Sequence, residues 1–327
     1  MGVGLGLVGF LGYGQESVYG TPIARTNFLE INEESIGVEE PQIESGALAA
    51  VGIRNTKSVQ GGVSVAGDFG FDAQYAGWER LLKHLMGSIS SSRPDVTSYP
   101  TVWDHTFDIA NSLPTGLTLE VYRATEDFVT EPSKSFIYDG CLISAGSFSC
   151  GVDDLLKCRF TVIGHNEARG SKSTPSYNTS KLAVYHQGII KWNANDVEVS
   201  NFTIDIANTL EGRPKLGSRY TRQPKRSGKL TVSGTFQAEF TSWAEYDDFR
   251  AATERVFNAQ FIGDVIGGTY YNQITFNLPV AKIVSHKVVL NSPGRLIMEV
   301  NFKAYRTDSA NELTVVMRNI TTASLAG

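Results

Sequence analysis

The chain has 327 residues, 41% of them hydrophobic, which is enough for two domains of roughly 160 residues with a core each. Lys and Arg number 29 against 34 Asp and Glu, so bulk charge gives no grip on nucleic acid or on an anionic membrane. No run reaches the ~18 to 20 apolar residues of a membrane span, and no signal peptide is expected, because neither Lys nor Arg precedes an apolar core.

In chain order, residues 1–24 carry glycines at 2, 4, 6, 9, 12, 14 and 20 among apolar residues, a composition for an extended arm rather than a helix. Gly6 stands where a myristoylation motif takes Ser or Thr, so lipidation is not expected. Phe28 to Val38 reads as strand and Glu39 to Gln60 as a long loop or irregular hairpin. Val63 to Phe71 alternates strictly, with Val63, Val65, Gly67, Phe69 and Phe71 on one face and Ser64, Ala66, Asp68, Gly70 and Asp72 on the other. Trp78, Leu81, Leu82 and Leu85 follow at helical spacing. Strands resume at Leu117–Tyr122, Phe136–Ile143, Ser147–Cys150 and Leu155–Ile163, with a turn at Gly151–Asp154. After a Gly/Ser/Thr/Asn/Pro stretch from Gly164 to Ser180, the order replays. A strand at Phe202–Ile206 leads to a long loop, then a strand at Leu230–Phe240. A helix follows at Trp243, Tyr246 and Phe249, opened by the capping-box pattern Ser242-Trp243-Ala244-Glu245. Strands at Val256–Ile262, Gln273–Ile283, Lys287–Leu290 and Arg295–Tyr305 complete the series, and an apolar tail runs from Leu313 to Ile320.

The replay extends to residues. Gly61-Gly62-Val63-Ser64-Val65-Ala66-Gly67-Asp68-Phe69 returns as Gly228-Lys229-Leu230-Thr231-Val232-Ser233-Gly234-Thr235-Phe236. Leu156, Cys158, Phe160 and Val162 answer to Leu296, Met298, Val300 and Phe302. The offset falls from 167 to 140 residues between the two matches, which places a 27-residue insertion in the first copy. The expected architecture is mainly β: tandem duplicated β-sandwich or barrel domains, each with one short flanking α-helix, plus extended loops and terminal arms. The boundaries read as an N-terminal arm at 1–24, a first β domain at 25–165 with its insertion at 88–114, and a linker at 166–180. A second β domain at 181–308 and a C-terminal arm at 309–327 follow.

Catalytic chemistry is sparse. The five histidines are scattered without metal-ligand spacing, and His105, beside Asp104, is the only one next to a carboxylate; it reads as a packed or surface imidazole. Cys141, Cys150 and Cys158 read as reduced, small apolar residues. The Gly2-x-Gly4-x-Gly6 pattern has no preceding strand, so it is no phosphate loop. Asp153-Asp154 falls in a turn and Asp247-Asp248 on an exposed helix face, so neither pair reads as a glycosidase dyad. No catalytic residue, metal or cofactor is expected.

Charge is distributed unevenly. Glu30, Glu33, Glu34, Glu39, Glu40 and Glu44 fill a window without a base, whereas Arg213, Lys215, Arg219, Arg222, Lys225, Arg226 and Lys229 crowd the corresponding loop of the second half. Such segments ordinarily face water; the functional reading is docking of one repeat's loop on the other repeat, in a neighbouring subunit or the next layer. Glu39, Glu40, Glu44, Arg213, Lys215, Arg219, Arg222, Lys225 and Arg226 are the candidates. Nucleic-acid binding by the basic loop ranks lower, since only Tyr220 offers a stacking platform there. The non-core face of the repeated strand, including Asp68, Asp72, Thr235, Gln237 and Glu239, lacks Lys and Arg, as a surface past which DNA slides requires.

Tyr13-Gly14-Gln15-Glu16-Ser17-Val18-Tyr19-Gly20-Thr21-Pro22, followed by Phe28-Leu29-Glu30-Ile31, resembles the opening of tail tube proteins of long, flexible-tailed bacteriophages. Glu44-Ser45-Gly46, the Gly67 strand, the Trp78 helix and the stretch from His105-Phe107 to Leu117-Glu120 resemble that family in the same order, covering most of residues 10–165. The second half departs from the pattern: Lys181 to Trp192 replaces the opening motif. The resemblance implies a structural virion protein without catalytic residues, assembled in the host bacterial cytoplasm. Its rings stack into a tube, three two-domain chains forming a pseudo-sixfold ring through which viral double-stranded DNA passes without specific binding. Its implied partners are further copies of itself, a tape measure protein, a tail terminator and distal tail proteins, with no membrane. The candidate lumen-facing residues are Asp68, Asp72, Thr235, Gln237 and Glu239. The alternative is a tail-tip or capsid-associated module binding a host glycan through aromatics such as Trp103, Tyr122 or Trp192. A glycan-cleaving enzyme, with carboxylates about 5 to 9 Å apart, comes third.

Overall fold

The computed structural model describes residues 4–46, 57–125, 135–289 and 295–322. The first half contains β1 (Gly4–Gln15), β2 (Asn27–Leu29), β3 (Glu33–Glu34), β4 (Gly37–Glu39), β5 (Gln42–Glu44), β6 (Ser58–Gln60) and β7 (Ser64–Asp72). Helix α1 (Glu79–Met86) precedes β8 (Gly87–Ser92), β9 (Trp103–Ile109), β10 (Leu117–Thr125), β11 (Ser135–Gly151), β12 (Lys157–Gly164) and β13 (Asn166–Gly170). The second half contains β14 (Gly188–Trp192), β15 (Asn195–Asp196), β16 (Val199–Ala207), β17 (Leu210–Arg213), β18 (Arg222–Arg226) and β19 (Thr231–Glu239). Helix α2 (Ala244–Ala251) is followed by β20 (Arg255–Gly267), β21 (Tyr270–Val289), β22 (Ile297–Ala304) and β23 (Thr314–Asn319). The chain is mainly β, and its described residues form no closed barrel.

Pairing builds one antiparallel sheet through both halves. β3 and β4 pair with β7, β7 with β12, and β12 with the C-terminal part of β11. That part of β11 pairs in turn with β16, β16 with β19, β19 with β22, and β22 with the C-terminal part of β21. Counting β3–β4 as one interrupted strand, the sheet is eight strands wide. Two further layers use the N-terminal parts of the long strands: β2–β1–β10–β11–β13, and β15–β14–β20–β21–β23–β9–β8. Both long strands change layer at a register shift, between Ile143 and Ala145 and between Ile283 and Ser285, 140 residues apart. A bulge twists and bends a strand, which is what moving from one layer to another requires.

The alternation of β7 and β19 explains the sheet's two faces. Val65, Phe69 and Phe71, and Val232 and Phe236, are buried in one core cluster with Phe148, Phe160, Phe257, Phe276 and Phe302, while the intervening polar positions face outward. The recurring glycine has a steric reason in each strand. Gly67 has φ +153°, and a Cβ there would lie 2.5 Å from Ile36 Cα and 2.6 Å from Ser35 O. A Cβ on Gly234 would lie 2.7 Å from Thr203 O and overlap the Phe302 ring. Gly67→Ala is therefore expected to cost about 2 kcal/mol or more in urea unfolding, because rigid backbone must shift; a loss under about 0.5 kcal/mol would show that the crossing relaxes freely.

Several expectations meet a different structure. Residues 4–15 are extended as expected, but they are paired with β10 and β2. The presumed linker opens with β13, which pairs with β11. The 88–114 insertion is a hairpin whose β9 joins β23, so the apolar C-terminal segment is sheet, held between the halves. Ser242 does not cap α2 reciprocally: its hydroxyl accepts from Ala244 N at 3.3 Å and donates to Glu245 at 3.3 Å, and Trp243 is the N-cap residue. Asp248 is not exposed; it is buried, 2.7 Å from Arg255 Nη2, and accepts from Trp192 Nε1 at 3.2 Å.

Candidate assembly surfaces

The exposed face of the eight-stranded sheet collects Asp68, Asp72, Thr235, Gln237 and Glu239 on one side. Cross-strand register adds cations that β7 and β19 lack. Arg159 and Lys157 stand opposite Gly70 and Asp72, and Lys303 and Lys287 stand opposite Ser233 and Glu299. Arg159 is already bound, 2.9 Å from Glu33 and 3.0 Å from Asp68, and Lys157 lies 2.6 Å from Asp154. A hydrogen bond from Thr161, then Arg159, holds the Asp68 carboxyl below its usual range. Arg295, 2.5 Å from Glu239, and Lys282, opposite Lys303 and 3.1 Å from Glu254, bring the cations to six against the seven carboxylates Glu33, Glu39, Asp68, Asp72, Asp205, Glu239 and Glu299, so the face is net acidic by a narrow margin.

The junction between halves is the second surface. β11 and β16 pair over seven positions, from Ala145 opposite Ala207 to Gly151 opposite Asn201. Helix α1 wedges against it, with Trp78, Leu81, Leu82 and Leu85 wholly buried. Eight residues are too few for a stable isolated helix, so packing holds it, each buried leucine contributing about 1.5 to 3 kcal/mol. Second-half side chains bond at both of its ends. Asn208 Nδ2 donates to Leu85 O at 2.9 Å and to Ile143 O at 3.1 Å, and Asn208 Oδ1 accepts from Arg226 at 2.7 and 3.0 Å. Arg226 also donates to Ala110 O, and Gln223 to Pro114 O and Thr115 O. Asn319 Nδ2 reaches Tyr75 O and Glu79 at 2.9 and 2.8 Å.

The acidic and basic segments meet inside one chain at Arg219. Arg219 donates to Glu40 at 3.1 Å and to Gly61 O at 2.8 Å, and Val63 N donates to Arg219 O at 2.9 Å. Arg226 is occupied within the junction. Glu39 lies on the sheet edge, Glu44 in β5, and Arg213 opposite Arg222 in the β17–β18 hairpin, where Lys215 and Lys225 are exposed. Asn208 and Asn319 carry no sequence signal of their importance, because a loop amide reads alike whether solvated or buried.

Other polar clusters are structural. Glu16, buried, accepts from Thr118, Gly140 N and Gly20 N at 2.8 to 2.9 Å, fixing the turn after β1; burial raises its carboxyl above the usual range. His105 is packed, with Nδ1 2.8 Å from Ser91 and Nε2 3.0 Å from Thr321 O. Among the described residues no group of His, Cys, Asp and Glu could hold a metal, and the three cysteines are buried and unpaired. The aromatics considered for glycan binding form no exposed groove: Trp192 and Tyr122 are buried, and Arg93 covers Trp103 at 4.2 Å.

The model of the phage tail tube protein family matches residues 6–304. The chain belongs to the phage tail tube protein family. No curated protein matches it. A tail tube protein is a structural component of the virion tail and assembles with other tail proteins. The match spans both halves, so β14 to β22, where the opening motif is replaced, are tail tube protein as much as β1 to β13.

Proposed function

We propose that three copies of this chain close into a ring through the open edges of the eight-stranded sheet, and that rings stack into the tube through which viral DNA is ejected. The observation that carries this reading is the β11–β16 junction, in which the edge of one half's sheet continues into the other's. The chain is then a tandem duplication: β3–β4, β7, β12 and β11 correspond to β16, β19, β22 and β21. Among the described residues, the far sides of β3–β4 and of the end of β21 are unpaired. Exposed edges invite strand addition, and repeating the internal junction between copies joins them. A head-to-tail contact closes only when its rotation divides the full turn, and three chains of two like halves supply six positions.

The net-acidic face, with Asp68, Asp72, Thr235, Gln237 and Glu239, lines the bore. Its cations are bound to carboxylates or outnumbered by them, so passing phosphates release few counterions and DNA is not held. The exposed tip of the β17–β18 hairpin, with Lys215, contacts the next ring. The role is structural rather than enzymatic, in a long-tailed siphophage-type virion built in the host cytoplasm with tape measure, terminator and distal tail proteins. Negative-stain microscopy tests it: rings with threefold class averages and stacked tubes are expected. Monodisperse monomers at every concentration, with or without a tail initiator complex, would rule it out.

A further inference from the structure

Each half holds one eight-residue helix headed by a tryptophan at the N-cap and closed by a left-handed residue, Trp78 and Gly87 for α1, Trp243 and Ala252 for α2. The two helices have opposite surroundings. Trp78 is 0% exposed and Trp243 is 64% exposed. Helix α1 packs on β8, β9 and β11 of its own half, and the other half closes over it with Asn208 at its C-terminal end, Asn319 at Glu79, and Phe276 on Phe148, the ring that meets Trp78. Helix α2 rests on β21, and its outer side keeps an aromatic run in which Trp243 meets Phe240 at 5.2 Å and Tyr246 at 5.6 Å. Tyr246 lies edge-on to His286 at 5.8 Å, whose buried Nε2 has no hydrogen-bond partner.

We propose that the α2 face is a docking surface whose occupant is the first half of a second copy of this chain. The proposal rests on the ring reading above and adds to it the surface that is covered and the segments that cover it. Inside the chain, β16 pairs with β11 while the β17–β18 hairpin reaches over the end of α1 through Arg226. The β5–β6 hairpin stands in the same place, next to β3–β4, in the first half. Its cross-strand pair Ile43 and Val59 lies 167 residues before the cross-strand pair Leu210 and Arg226, the offset of the repeat itself. Ile43 is 61% exposed and Val59 is 65% exposed. An exposed apolar pair matches an exposed aromatic face, just as the polar Arg226 matches the Ala110 carbonyl beside α1. The occupant is a second copy because one copy of the same arrangement is already built into the chain.

Tryptophan fluorescence of the full chain tests this. Trp78 and Trp192 are buried and Trp103 lies under Arg93, so Trp243 dominates the acrylamide-accessible emission of the monomer. On assembly, the emission is expected to shift to shorter wavelength and the quenching constant to fall at least threefold, and Trp243→Phe is expected to remove both changes. Trp243→Glu is expected to leave the monomer's melting temperature unchanged and to prevent assembly. Tubes in which Trp243 stays as quenchable as in the monomer, or a Trp243→Glu chain that assembles normally, would overturn the proposal and leave the ring reading standing. Failure of the unaltered chain to assemble at all would overturn both.

Discussion

Lys287→Glu is expected to raise the concentration at which half of the chains assemble by about tenfold, and adding Glu39→Lys is expected to restore most of the loss. The register comes from the internal junction. Ala145, Ser147 and Ser149 stand opposite Ala207, Asp205 and Thr203. Moving the first set by 140 residues gives Ser285, Lys287 and Val289, since Ala145 opposite Thr161 corresponds to Ser285 opposite Asn301. The second set is placed by its partners in the repeated strand. Asp205 and Ala207 pair with Ser233 and Thr231, which correspond to Ala66 and Ser64, the partners of Gly37 and Glu39. Between copies, Ser285 therefore faces Glu39 and Lys287 faces Gly37, leaving Lys287 diagonal to Glu39 on the exposed face. A cross-strand charge pair contributes about 0.2 to 1 kcal/mol, so turning attraction into repulsion loses about 1 kcal/mol per junction. Three junctions per ring make about 3 kcal/mol, on the order of a hundredfold in the trimer equilibrium constant and about tenfold in concentration. Lys287 also stands opposite Glu299 in its own chain, so melting of the monomer has to be measured alongside. Light scattering against concentration for both single variants and the double variant forms the cycle; a double variant no better than either single one removes this register.

What the sequence makes legible follows from where the physics is local. Strict alternation in Val63 to Phe71 reports a half-buried strand because side-chain direction has period two, and the structure has β7 there. The Trp78 stripe likewise gives α1. Pairing partners leave no such trace: nothing in Trp103–Ile109 or Leu313–Ile320 says that β9 and β23 will bond across a separation of some two hundred residues. Asp248 misleads for a related reason, since a carboxylate beside Asp247 on a short helix looks solvated until Arg255 and Trp192 arrive from other strands. The charged windows were visible, but their geometry was not. Arg219 reaches Glu40 within one chain because the two halves are already docked, and Arg226 spends its guanidinium on Asn208 and Ala110 O. The edge residues Glu39 and Lys287 become notable only once the internal junction supplies a register.

Asn208→Ala is expected to destabilise the chain by about 2 to 4 kcal/mol, the largest effect of any single polar substitution outside the apolar core. Asn208 is wholly buried and its amide is fully used. Truncation strips the donors from Leu85 O and Ile143 O and the acceptor from Arg226, and each buried group left unsatisfied costs about 1 to 3 kcal/mol, more where it is charged. Burial already pulls the Arg226 guanidinium below its usual range, so it cannot easily stand alone. At about 2.1 cal/mol/K per residue, a cooperative chain of this length loses roughly 3 to 6 °C in melting temperature. Asn208→Asp keeps the acceptor and loses the donors, and is expected to fall between. Asn201→Ala provides the contrast, because that amide bonds Gln237 at 2.9 Å on the exposed face, where water replaces it at a cost of about 0.5 kcal/mol or less. A loss for Asn208→Ala no larger than that for Asn201→Ala would mean that the halves are joined by strand pairing alone. The full loss means that the angle between the halves is locked by a buried side-chain network, and that each chain brings a pre-set arc of the ring to assembly.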